Sequence, residues 1–197
     1  MVTGERLREA FLDAPMAHYF RCKLPGVDDA GRLARIEETL KFLFISAECT
    51  GSIPVSAEID EVWHLWILQT REYMDLCDRL PQHGYIHHSS HDYLRHADPF
   101  IGESQPLRED VRMLALYVRN FGVFRPDRLR YWLLPAHLVG RCGWDLAALN
   151  EWLLLGAFDC VTDRGGPAEG TECKSCVESP WTVPAIIKAS SAGIYAA

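Results

Sequence analysis

At 197 residues the chain is long enough for one well-buried core and too short for two ordinary domains to be expected. Hydrophobic residues make up 48% and charged residues 24%, the balance of a globular protein and not of a disordered or fibrous one. The net charge of -7 speaks against nucleic acid or an anionic membrane surface as the main partner, since both are held through basic patches, and leaves a small-molecule or peptide substrate as the expectation.

The first residues, Met1 to Phe11, carry charges throughout and contain no apolar core of a secretory signal, so a cytoplasmic protein is expected. Helical periodicity begins at once, with a first helix from Gly4 to Leu12. A second follows the turn at Pro25 and Gly26, capped by Asp28 or Asp29, and runs to Cys49 with Leu33, Ile36, Leu40, Leu43 and Phe44 on one face. Its apolar run Leu40 to Ala47 is far short of the ~20 residues that cross a membrane. After a turn containing Gly51 and Pro54, Ser56 caps a third helix over Ala57 to Leu80. At ~100° per residue, Ile59, Val62, Trp63, Trp66, Tyr73 and Cys77 gather on one broad apolar face, while His64 lies opposite with Asp60 and Glu61.

A histidine-rich connection over Pro81 to Pro106 breaks the pattern, and long connections in compact domains tend to be functional. Helices are predicted again over Leu107 to Phe121, Asp127 to Val139 and Asp145 to Phe158. The fold class is therefore all-α, a single domain of about six helices over residues 1–162, followed by an irregular tail over 163–197 that holds Cys173-x-x-Cys176. One such pair lacks the four ligands of a structural zinc site, and the seven cysteines, odd in number and scattered, read as reduced thiols and not as a disulfide framework.

Five of the eight histidines fall between His64 and His91. Neutral imidazole is the commonest nitrogen ligand for zinc, iron and copper, and a carboxylate one turn away can complete a shell. Glu61 and His64 form E-x-x-H on adjacent turns, and His87, His88 and His91 follow in the connection. The predicted site is therefore metal-binding, with His64, His87 and His88 as ligands and Glu61 or His91 completing the shell.

The segment I-D-E-V-W-H-L-W-I-L-Q-T-R-E-Y-M-D-L-C, followed by G-Y-I-H-H, resembles the signature of the glycine-rich domain-containing proteins of bacteria, fungi and plants. The resemblance spans residues 59–88 and rests on Asp60, Glu61, Trp63, His64, Thr70, Tyr73, Cys77, Gly84, His87 and His88. Trp66 stands where that signature has a second histidine, and Ser89-Ser90 where it has Asp-Pro, which makes His91 a candidate replacement ligand. The resemblance implies that this region matters and does not specify its chemistry.

The expected function is a metal-dependent enzyme, a non-haem oxidoreductase acting on a small molecule or peptide. Three imidazoles, or two and a carboxylate, leave positions open on iron or copper for oxygen and substrate. Two alternatives share these residues: a zinc-dependent hydrolase in which Glu61 is the catalytic base to a bound water, and a non-catalytic interaction module whose histidines are held by hydrogen bonds.

Overall fold

The computed structural model describes residues 1–46, 48–49, 53, 55–81, 84–88 and 107–155. Among them are eight α-helices: α1 (Gly4–Phe11), α2 (Ala14–Lys23), α3 (Asp29–Ser46), α4 (Ala57–Ile67), α5 (Thr70–Arg79), α6 (Leu107–Phe121), α7 (Leu133–Gly140) and α8 (Leu146–Leu155), with a 3-10 turn at Leu129–Tyr131. The protein is all-α, and the described residues hold one isolated β-bridge, between Val55 and Trp132. The predicted tail, His91 and both cysteines of the Cys173-x-x-Cys176 pair lie outside the described residues.

The first departure from the sequence reading is α2. The carboxylate of Asp13 accepts a hydrogen bond from the Met16 amide at 2.8 Å, and Pro15 sits in the first turn, where its missing N–H costs nothing. Met16 and Phe20, four residues apart, then point into the core. The helix that follows is capped by Asp28, whose Oδ1 accepts from the Gly31 amide at 2.6 Å.

Helix α3 is the centre of the packing, in contact with α1, α2, α4 and α6. Its apolar stripe includes Ile36, Leu40 and Leu43, all buried. Around it aromatic side chains meet edge to face: Phe20 on Trp66 at 5.2 Å between centroids, and Phe42 on Trp63 at 4.9 Å. Burying each such side chain stabilises the fold by about 1.5–3 kcal/mol. The same helix also buries a charge. Glu38 has no exposed surface; its carboxylate accepts from Trp132 Nε1 at 2.9 Å and pairs with Lys41 Nζ at 2.8 Å. Lys41 donates in turn to the Tyr117 hydroxyl at 3.1 Å. A buried carboxylate is tolerable only with such partners, and these draw α3, α6 and Trp132 onto one point.

The predicted helix over Asp127 to Val139 is interrupted because Trp132 takes extended backbone to bridge Val55. The amide of Ser56 donates to the Tyr131 carbonyl at 3.0 Å, so this bridge fixes the residue that begins α4. Gly122, at φ 87°, ends α6 in the left-handed region, where a side chain is strained.

The predicted helix from Ala57 to Leu80 is two helices. Gln69 leaves helical geometry at φ -97°, ψ 72°, and its amide bonds to the Trp66 carbonyl three residues back at 2.9 Å. No proline or glycine stands at this break. Its cause is packing on both sides, because Trp63 and Trp66 of α4 and Tyr73, Leu76 and Cys77 of α5 are all drawn into the same core.

Candidate metal centre

Helix α4 carries two of the three residues that converge. Ser56 caps it, its hydroxyl accepting from the Ile59 amide at 3.4 Å, and Asp60 lies in the first turn, where a carboxylate suits the positive end of the helix dipole. Ile59, Val62, Trp63 and Trp66 bury the opposite face, which leaves Asp60 and His64 on the outward side, one turn apart.

His64 Nδ1 lies 2.8 Å from the main-chain oxygen of Asp60. A carbonyl oxygen only accepts, so this ring nitrogen carries the proton and donates it, and Nε2 keeps its lone pair for a ligand. Tautomer fixation of this kind is how metal-ligating histidines are commonly oriented. His88 enters from the non-helical segment 84–88. Its Nε2 stands 3.1 Å from Asp60 Oδ1, and its ring meets the His64 ring at 4.1 Å between centroids and the Trp63 indole at 4.5 Å.

One ligand atom from each of Asp60, His64 and His88 lies within 4.8 Å of the others. Two donors held about 2.1 Å from one ion stand roughly 3–4 Å apart, so the Asp60–His88 spacing already fits; on the His64 side it is the proton-bearing Nδ1 that stands 3.3 Å from Asp60 Oδ2. Two imidazoles and one carboxylate suit a divalent transition ion of intermediate softness. The side chains of Asp60 and His64 are about half exposed, at 46% and 51%, whereas that of His88 is 17% exposed. The site is thus open on the α4 side and walled by Trp63 beneath His88.

The structure brings His64 and His88 together and sends two other predicted ligands elsewhere. Glu61 pairs with Arg35 of α3, Oε2 to Nη1 at 2.9 Å, and has no place in the cluster. Its role as base or ligand is taken up by no contact in the structure, and Asp60, four residues before His64 instead of three, supplies the carboxylate. His87 is exposed and its ring rests on Tyr85 at 4.9 Å. Tyr85 and His87 face outward while Ile86 and His88 are partly buried, the two-residue alternation of extended backbone. Of the remaining described histidines, His18 lies 3.5 Å from Cys22 on α2 and His137 belongs to α7.

Asp60 is placed beside His64 by the sequence but is not among the predicted ligands, although the D-x-x-x-H spacing is a usable signal, equal in reach to E-x-x-H. On the continuous helix that the sequence predicts, Tyr73 belongs to the apolar face opposite His64. With the helix broken, its hydroxyl accepts from Trp63 Nε1 at 2.9 Å and donates to the Ile86 carbonyl at 2.6 Å. Burial pushes this phenol well above its ordinary value, against the lowering effect of the bond from Trp63. It therefore stays a donor throughout the neutral range.

A cleft of about 140 Å³ between the α1–α2 junction and α5, floored by Phe11, Trp66 and Leu76, shares no residue with the cluster. The chain has no match among protein families, curated proteins or solved structures. No helix among the described residues is long and apolar enough to cross a membrane.

Proposed function

We propose that the protein is a non-haem metal-dependent oxidoreductase whose ion is held by Asp60, His64 and His88. The observation that carries the reading is the convergence of these three side chains, with the His64 tautomer set by the Asp60 carbonyl. All three are also among the residues through which the segment 59–88 resembles the glycine-rich domain-containing proteins. Three protein ligands of this composition leave coordination positions free, the arrangement suited to iron(II) oxygen chemistry; an iron or copper ion bound there supplies electron transfer to a small-molecule or peptide substrate.

The chain's own residues do the rest. Asp60 contributes the anionic charge that holds a dication. His64, with its Nδ1 proton engaged, presents Nε2 in one orientation. His88 holds Nε2 against Asp60 Oδ1 and would ligate an ion there through that nitrogen, with the ring proton on Nδ1. Trp63 covers the inner side of His88 and keeps water from it. The zinc-hydrolase alternative draws less support, because the base it needs, Glu61, is engaged by Arg35.

Elemental analysis of protein purified without a histidine tag tests the proposal. Stoichiometric iron or copper is expected, lost in His64→Ala and His88→Ala and kept in His87→Ala. Zinc in its place removes the oxidative half of the reading. A folded, metal-free protein, or metal content unchanged in His64→Ala, overturns it in favour of an interaction module.

A further inference from the structure

We infer that Tyr73 is the positioning residue of this site: its phenol oxygen ties segment 84–88 to α4 and so sets His88 against Asp60 and His64. The inference rests on the metal reading for its functional meaning and on geometry for its content. Segment 84–88 has no helix or sheet of its own to fix it. Beyond the side-chain contacts of Tyr85 and His88, it is anchored at the Ile86 carbonyl, which accepts the Tyr73 hydroxyl at 2.6 Å, two residues before His88. The Tyr73 phenol oxygen also accepts from Trp63 Nε1 at 2.9 Å, and the Trp63 ring is what the His88 imidazole packs against. One buried hydroxyl thus links the residue before His64, the base of the His88 ring and the backbone that delivers it.

The linkage depends on the break in the helix. On a continuous helix Trp63 and Tyr73 would be separated by about 15 Å along the axis, too far for their side chains to meet. The turn at Leu68 and Gln69 folds α5 back so that they do. Tyr73 has no exposed surface, its ring edge is covered by Tyr85 at 5.3 Å, and it touches none of the three candidate ligands, so its effect on them passes through Ile86 and Trp63.

Tyr73→Phe keeps the ring and removes the hydroxyl. Titrated with iron(II) under anaerobic conditions, this variant of the full chain is expected to bind ~10 to 100-fold more weakly than wild type, the usual loss when a group that orients a ligand is removed. Wild-type affinity in Tyr73→Phe would overturn the inference and leave Tyr73 as ordinary core. A second measurement separates this result from failure of the metal reading. In metal-free protein the His88 ring lies within the ring-current field of the Trp63 indole, 4.5 Å away between centroids, and its proton NMR shifts should move toward those of a free histidine in Tyr73→Phe while core methyl shifts stay put. Unmoved His88 shifts would contradict the positioning role even if the wild-type chain binds no metal.

Discussion

Asp60 and Glu61 are adjacent carboxylates on the same exposed side of one helix, and their fates differ because of a residue 26 positions away. Arg35 of α3 takes Glu61, and Asp60 is left to face both histidines. Either carboxylate lies within one turn of His64, so spacing alone could not separate them. The same holds for the adjacent pair His87 and His88, where the inward residue is decided by Tyr73 gripping Ile86. Two of the candidate ligands, His64 and His88, were legible as part of a cluster; the choice among their neighbours was tertiary. It follows that Glu61→Gln should keep full metal content and lose less than about 1 kcal/mol of stability, since Glu61 is half exposed in its ion pair with Arg35. Metal loss in that variant, measured by elemental analysis beside its denaturation midpoint, would return Glu61 to the ligand shell.

The elements themselves show where periodicity suffices. The stripes of α3 and α6 were readable because a long amphipathic run has one solution, and Leu107–Phe121 has the bounds the sequence suggests. Helix α2 is not predicted although Asp13 and Pro15 announce its start, because its hydrophobic periodicity is weak. The break at Gln69 carries no local signal and follows from packing of the aromatic faces on either side. Least legible was Glu38, which sits in the middle of an α3 sequence of mixed charge and proves to be wholly buried. Glu38→Leu preserves roughly the volume, so any loss comes from stranding Trp132 Nε1, Lys41 and the Tyr117 hydroxyl. A loss of about 3–5 kcal/mol is expected in chemical denaturation, the cost of breaking a buried pair by removing one partner. An unchanged midpoint would show the network to be energetically idle.

At the scale of the whole molecule two phenols join stability to pH. Burial raises Tyr73, and burial with the neighbouring Glu38 charge raises Tyr117, both far above the unfolded value of about 10. Below that pH both states keep the protons and the contribution to stability is complete. Above it the unfolded chain ionises while the folded phenols do not, so stability falls as pH climbs toward the folded values. Tyrosinate absorbance should therefore show at least two of the seven tyrosines titrating only as the helical signal is lost, and a reversible titration of all seven in the folded state would contradict this. The central claim is that the fold assembles Asp60, His64 and His88 into one ion-binding site. Its most direct test is a cobalt(II) titration of the metal-free full chain followed by visible absorption, for wild type and Asp60→Asn. The account predicts saturation at one cobalt per chain with ligand-field bands in wild type, and binding weakened to the point of no saturation in Asp60→Asn; superimposable curves for the two proteins would contradict it.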